Sequence, residues 1–310
     1  AVHYTFDRPK RSVGAVRSML REFSRLLRQN DPELLFFHSS LSLLCLAFLR
    51  VRGDKRPAIY CPHGWAGTTY DDMPMAALIV QLVEARLCGL ADLSICVSQH
   101  ERRFAEERNY KGNFKVIESG VPDAAFDARS NLCDSALRPL NLLFVGRLDR
   151  QKGFDILLEA LRKVERTDLY LHVVGAAVRG AEVFNELPEN VRMIGWVPPS
   201  RIDEWYQSSD ALIVPSRWEA FGLVIPEALR NGTPVFCSNV GGMNELVEPG
   251  VTGDFFSLES DDLAQLLQKL DREKLRRMRP RCRQSYEKRF SLDRWLEELA
   301  SSMHELTCAS

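Results

Sequence analysis

Residues 215–232 read PSRWEAFGLVIPEALRNG. The apolar run Ala211-Leu212-Ile213-Val214 leads into them and reads as the end of a buried strand. The chain turns through Pro215 and Ser216 and then opens an apolar helix. Glu219 and Glu227 stand eight positions apart, one in the loop and one on the helix. Between them, Phe221, Gly222 and Leu223 lie where the helix begins. A helix start presents unpaired N–H groups and a partial positive charge, which suits an anion. Gly222 lets a ligand come close to the backbone. A carboxylate accepts two hydrogen bonds and so suits a sugar diol. The stretch therefore points to a ligand with both phosphate and sugar hydroxyls.

Two other stretches share this character. Phe144-Val145-Gly146-Arg147-Leu148 is followed by Lys152-Gly153, placing two cations at a strand end where they can neutralise a diphosphate. Gly241-Gly242-Met243-Asn244-Glu245 runs on to Gly253. Taken in order, the three stretches resemble the donor-site motifs of the retaining family-4 glycosyltransferases, the group 1 glycosyl transferases. The resemblance implies the GT-B fold, an α/β architecture of two facing Rossmann-like domains. It also places a histidine like His63 at the interdomain cleft, near the transferred sugar.

Composition sets wide bounds. The chain has 310 residues, 45% of them hydrophobic, and a net charge of −1, which argues against nucleic acid as a partner. The first thirty residues hold seven basic side chains against two acidic ones. The eight cysteines form no close pair and no metal-ligand spacing, so they read as buried thiols in a reducing compartment. The longest uncharged run, Leu34 to Leu49, is 16 residues and holds His38 and three serines. A membrane-spanning helix needs about 20 apolar residues, so this run reads as a strand and then a helix.

Residues 13–29 form an amphipathic helix, with Val16, Met19, Leu20, Phe23, Leu26 and Leu27 at helical spacing. Arg17, Arg21, Arg25 and Arg28 line another face, which suits either water around a domain helix or an anionic membrane surface. Ala58 to Cys61 is a strand ending at Pro62-His63-Gly64. Ligands sit at the carboxyl ends of strands in open α/β sheets, so His63 is well placed. His38 holds an equivalent strand end and is read as structural. The polar loop Trp65 to Asp72 is read as shaping the acceptor side. Gly175 to Gly180 is a poor match to a dinucleotide fingerprint, which argues against a nicotinamide enzyme. Trp196 has two readings of equal weight, core or base contact. Gly241-Gly242 is expected to start a helix carrying Glu245, and Ser260 to cap another.

Alternating strands and helices predict parallel sheets. The expected domains are 1–135, 136–290 and a terminal helix, 291–310, crossing back to the first domain. GT-B enzymes open with a strand and a Gly-rich loop, and neither is visible ahead of Ala1, so the first domain is expected to be incomplete. By resemblance, the catalytic residues are His63, Arg147, Lys152 and Glu219, and the donor-binding residues are Gly146, Gly175, Val197, Phe221, Gly222, Leu223 and Glu227. The implied activity moves a hexose from a UDP- or GDP-sugar to a glycolipid or polysaccharide, as in surface polysaccharide and lipopolysaccharide biosynthesis. It implies retention of configuration, no metal and no cofactor beyond the nucleotide sugar. It implies a cytoplasmic enzyme, peripheral on the inner face of the cell membrane. Two other classes fit the sequence: a nucleotide-sugar-binding module without transfer, and a sugar-nucleotide epimerase. The second needs first-domain acid–base carboxylates, and Asp71, Asp72 and Glu84 show no motif.

Overall fold

The computed structural model describes residues 13–66, 74–124, 138–177 and 186–308. Most of the Trp65–Asp72 loop, most of the stretch between 123 and 139, and Gly180 lie outside these residues. The chain divides into two units. The first comprises residues 1–96, 102–116 and 299–310, and the second comprises 97–101 and 117–298.

The first unit carries a four-stranded parallel sheet in the order β1 (Leu35–His38), β2 (Ala58–Cys61), β3 (Leu93–Cys96), β4 (Phe114–Val116). Every residue of β2 and β3 is buried, as expected of parallel strands covered on both faces. Helices α1 (Val13–Asn30), α2 (Leu43–Val51), α3 (Pro74–Leu87) and α4 (Gln99–Glu107) alternate with these strands or precede them. Met19 and Leu27 of α1 are buried in the core, and Phe23 meets Phe37 edge-on at 5.9 Å between ring centroids. Arg17, Arg21, Arg25 and Arg28 are exposed. Trp65 is not on the polar loop surface where the sequence reading put it. It is fully buried among Tyr60, Tyr110 and Phe114, because its large apolar ring gains more from the core than from water.

The second unit carries a six-stranded parallel sheet. Its strands are β5 (Leu140–Val145), β6 (Leu169–Val174), β7 (Val191–Gly195), β8 (Ala211–Val214), β9 (Val235–Ser238) and β10 (Gly253–Phe256), in the order β10-β9-β8-β5-β6-β7. The chain builds outward from β5 through β6 to β7, then returns to the other side of β5 with β8. The β5–β8 boundary is therefore the topological switch point, where open α/β sheets place their ligands. The helices of this unit begin with α5 (Phe154–Lys163), α6 (Ile202–Ser208) and α7 (Val224–Arg230), and continue with α8 (Ser260–Gln268) and α9 (Arg272–Arg289). The terminal helix α10 (Leu292–Cys308) has residues in both units, and the Ser291 hydroxyl accepts from the Arg294 N–H at its start.

Three local expectations change. Gly241–Glu245 is a 3-10 turn rather than the start of a longer helix, because the chain bends at once into buried Leu246 and Val247. The N-cap position of α8 is Glu259, not Ser260, and its side chain makes no capping hydrogen bond. The Ser260 hydroxyl instead accepts from Lys163 Nζ at 2.6 Å. Helix α9 was not foreseen, since its charge and the internal Pro280 hide its apolar row of Leu275, Met278, Cys282 and Tyr286. Seven described cysteines are in no disulfide, and all but Cys308 are buried. Burial pushes the Cys45 thiol up to about 11 and the Cys88, Cys237 and Cys282 thiols up to about 12.

Candidate active site

At the switch point the loops after β5 and β8 are stitched together. Gly146 follows β5, and Asp149 caps a short 3-10 turn by accepting from the Lys152 N–H at 3.1 Å. The Arg217 N–H donates to the Gln151 carbonyl at 2.8 Å, and Gln151 Nε2 donates to the Trp218 carbonyl at 3.1 Å. Arg217 also clamps Asp155 at the start of α5 through two hydrogen bonds. Gly153, at φ 65°, passes so close to the Pro215 carbonyl that a Cβ would collide with it. The outcome is that Lys152 Nζ forms an ion pair with Glu219, both side chains being mostly buried.

Arg147 remains half-exposed beside them. Its Nη2 donates to Gln151 Oε1 at 2.9 Å and lies 3.3 Å from Asp149 Oδ2. Gly146, Gly175 and Gly195 mark the carboxyl ends of β5, β6 and β7. The Gly175 N–H donates to the Gly195 carbonyl at 2.8 Å, and a Cβ on Gly175 would overlap the Gly146 carbonyl. Gly175 therefore contributes close backbone packing to the floor of the site. Val197 is half-buried, whereas Trp196 is 70% exposed, so the core reading of Trp196 fails.

On the other side of the switch, Phe221 points into the core and meets Phe290 at 6.2 Å between ring centroids. It offers the site only its backbone. Leu223 is exposed, and Gly222 has φ 90°, a conformation that favours glycine. The start of α7 does not offer the free N–H groups that a helix start suggests: Pro226 has none, and the Ile225 and Glu227 N–H groups donate to the Gly222 and Leu223 carbonyls at 2.9 and 3.1 Å. Glu227 is half-buried on α7 and accepts from the Tyr206 hydroxyl at 2.8 Å. Burial holds its carboxyl above the usual carboxylate range, against the opposing pull of Tyr206 and Arg230. Gly241 and Gly242 lie against the Glu219 and Ala220 carbonyls, with the Gly242 N–H donating to the Glu219 carbonyl at 3.1 Å. They hold the backbone of Glu219 from behind. The Glu245 carbonyl accepts from Arg289, which also pairs with Glu118.

Gln151 and Tyr206 were missed in the sequence reading. Gln151 could have been noticed from its place between the two motif cations. Tyr206 carries no sequence signal, because a buried tyrosine on a short helix looks like core.

In the first unit, His63 has φ 53° and is exposed, with Nε2 2.8 Å from His38 Nδ1. His38, read as structural, is thus the partner of the candidate catalytic histidine. Desolvation pushes both rings below the usual histidine pKa, and His63 is lowered further by His38. Glu84 is 2% exposed and fastens the two turns behind these rings. It accepts from the Ser40 hydroxyl at 2.5 Å and the Ala66 N–H at 2.9 Å. It also accepts from the hydroxyls of Tyr60 and Tyr110, at 3.1 and 3.3 Å.

Comparison with known proteins gives the family and the fold. The family model described as Glycosyl transferases group 1 matches residues 135–289, and that described as Glycosyltransferase Family 4 matches residues 1–125. An uncharacterized 41.2 kDa protein in the cps region of Klebsiella pneumoniae is 29% identical over 268 residues, covering 82% of this chain and 73% of that protein. Curated relatives of higher identity match over 36% to 44% of this chain and about a third of their own length. Among solved structures, sucrose-phosphate synthase from Thermosynechococcus elongatus superposes with a TM-score of 0.84 at 23% identity, over 99% of this chain and 82% of that one. Anabaena Alr3699/HepE in complex with UDP-glucose gives 0.76 at 21% identity, over 96% and 84%. These likenesses establish the GT-B fold.

Proposed function

Because the chain belongs to the group 1 glycosyl transferases, we propose that it moves a hexose from a nucleotide-diphosphate sugar to a glycolipid or polysaccharide acceptor, with retention of configuration and without a metal. The observation that carries this reading is the Lys152–Glu219 ion pair at the β5–β8 switch point. It sets a cation for a diphosphate beside a carboxylate for sugar hydroxyls.

Donor binding exchanges one set of contacts for another. Lys152 turns to the diphosphate, joined by Arg147, and Glu219 turns to the hydroxyls of the sugar. As the nucleoside diphosphate departs, these groups stabilise the charge that builds on it. Glu227, held by Tyr206, takes the ribose diol. The turn at Val197 lies against the base. His63 contacts the transferred sugar, with His38 fixing its ring. No carboxylate nucleophile is assigned, so transfer runs on the same face of the sugar through an ion-pair-like state. The UDP-glucose in the Anabaena neighbour favours a UDP-hexose donor. No helix among the described residues is long and apolar enough to cross a membrane. We assign membrane contact, on the inner face of the cell membrane, to the exposed arginines of α1.

The test is calorimetry with UDP and GDP, followed by UDP-glucose, UDP-galactose and GDP-mannose with a lipid-extract acceptor. Acceptor-dependent release of one diphosphate establishes transfer and its donor. Tight nucleotide binding without release leaves a binding module. No nucleotide binding by folded protein removes the donor site.

A further inference from the structure

The carboxyl ends of β1 and β2 bring together three side chains that the transfer chemistry uses only in part. His38 and Cys61 are register partners across the two parallel strands. His63 follows two residues later, and its left-handed backbone turns the ring back towards His38. One donor atom from each of His38, Cys61 and His63 lies within 4.8 Å of the other two. His38 Nδ1 is 2.8 Å from His63 Nε2, and Cys61 Sγ is 3.7 Å from His63 Nδ1. The His38 ring is stacked on Phe36 at 4.2 Å between centroids, which fixes its plane. Cys61 is 3% exposed beneath two exposed rings.

Around a tetrahedral zinc ion, nitrogens at about 2.0–2.1 Å and a thiolate at about 2.3 Å stand roughly 3.3–3.6 Å from one another. One ion takes only one nitrogen of His63: through Nε2 the rings part by about half an ångström and the sulfur closes in, whereas through Nδ1 the sulfur is near its place and His38 closes in, both movements of side-chain torsions. A His2Cys set leaves the fourth position open to water or a ligand oxygen. Imidazole with thiolate selects a borderline-soft divalent cation over magnesium or calcium.

We propose that His38, Cys61 and His63 form a binding site for a zinc-class divalent cation. On binding, the Cys61 S–H bond breaks, its proton passes to solvent, and the thiolate and two neutral imidazoles donate their lone pairs to the ion. The bound ion occupies a nitrogen of His63. That consequence rests on the role proposed for His63 in transfer, whereas the coordination itself does not.

The test uses cobalt(II) as a coloured probe with the full chain. A background of Cys133→Ser and Cys308→Ser removes two competing thiols, including the exposed Cys308, whose Sγ lies 3.6 Å from His304 Nε2, while Cys45, Cys88, Cys96, Cys237 and Cys282 stay buried. The expected result is one equivalent of cobalt bound, with a thiolate-to-metal charge-transfer band and tetrahedral visible absorption, both discharged by zinc. Cys61→Ser abolishes the charge-transfer band. His38→Ala, at an exposed ring, weakens cobalt binding by roughly tenfold or more. No band in the background protein, a band that survives Cys61→Ser, or unchanged affinity in His38→Ala overturns the site. The spectrum reads the metal directly, so a failure of the transferase reading leaves this result standing.

Discussion

Lys152 and Glu219, 67 residues apart in the chain, are ion-paired across the loops that follow β5 and β8. Removing one partner from a mostly buried pair leaves the other charge uncompensated. Lys152→Ala is expected to lower donor turnover by roughly a hundredfold or more, by withdrawing charge from the leaving diphosphate. It is also expected to cost about 3 kcal/mol of stability. Glu219→Gln keeps the shape and a sugar-facing oxygen, and its loss is expected mainly in sugar-donor affinity, with free UDP binding near normal. Turnover assays beside calorimetry with UDP and UDP-sugar separate the two. Equal loss of UDP and UDP-sugar binding in Glu219→Gln sinks the division of roles.

Glu227 ties nucleotide binding to pH. Its carboxyl is held above the usual carboxylate range by burial. A ribose diol donates best to the ionised form, so affinity falls as pH drops through the raised pKa. Nucleotide Kd measured between mildly acidic and neutral pH is expected to weaken on the acid side, with a midpoint above about 4.3. Glu227→Gln is expected to bind more weakly and to lose that pH dependence. A wild-type profile flat across this range contradicts the diol role.

The sequence made strands such as β2, β5 and β8 plain, because parallel strands buried on both faces are unbroken apolar runs. The motif residues were legible for a different reason. Arg147, Lys152, Glu219 and Glu227 are polar groups at strand ends and helix starts, where the chain needs no charge for folding. What escaped was set by three-dimensional partnership. The Tyr206 hydroxyl finds Glu227 only once α6 packs beside α7, and His38 gains meaning only when its strand lies in register with Cys61. Helix α9 escaped because its arginines read as solvated. Yet Arg279 is half-buried and donates to the Ser209 carbonyl at 3.1 Å, and Arg283 clamps Asp123.

Gly153 is the stitch between the motif loops. At φ 65° and against the Pro215 carbonyl, it has no room for a side chain. Gly153→Ala is expected to lose roughly 3 kcal/mol and to pull Lys152 away from Glu219. Gly53→Ala is the control, since that glycine shares a positive φ of 78° with open space around it. Denaturant titrations should show the Gly153 variant losing clearly more stability. Equal losses would mean that backbone strain alone, and not the close approach, sets the requirement.

The exposed arginines of α1 give a graded expectation. Each arginine near an anionic bilayer contributes about 1 kcal/mol. Arg25 is already tied to Glu22 and Gln29, so Arg17, Arg21 and Arg28 should dominate. Flotation with vesicles containing anionic lipid is expected to capture the protein at low salt and release it at high salt. Neutral vesicles should not capture it. Replacing the three dominant arginines with glutamine should abolish capture while donor binding persists. Capture that ignores both salt and these substitutions assigns membrane contact elsewhere.

Glu84 supplies the last expectation, because it positions the turns that carry His38 and His63. Burial raises its folded pKa above the unfolded value. The protonated form is therefore favoured in the folded protein, and its contribution to stability is fullest below the unfolded pKa, about 4.3. That contribution falls as pH rises through the folded pKa and is constant beyond it. Glu84→Gln removes the titration, so the wild-type-minus-variant stability difference should shift against the wild type as pH rises. The amide tolerates this place because the Ser40 and Tyr60 hydroxyls can turn to accept from it. Glu84→Ala leaves the Ala66 N–H and three hydroxyls without their acceptor, at a cost of about 3 kcal/mol or more. It should also loosen both histidine turns and lower turnover. Guanidinium titrations at several pH values, with turnover measured on each variant, check both halves. A pH-independent difference between wild type and Glu84→Gln would show that Glu84 holds one protonation state throughout.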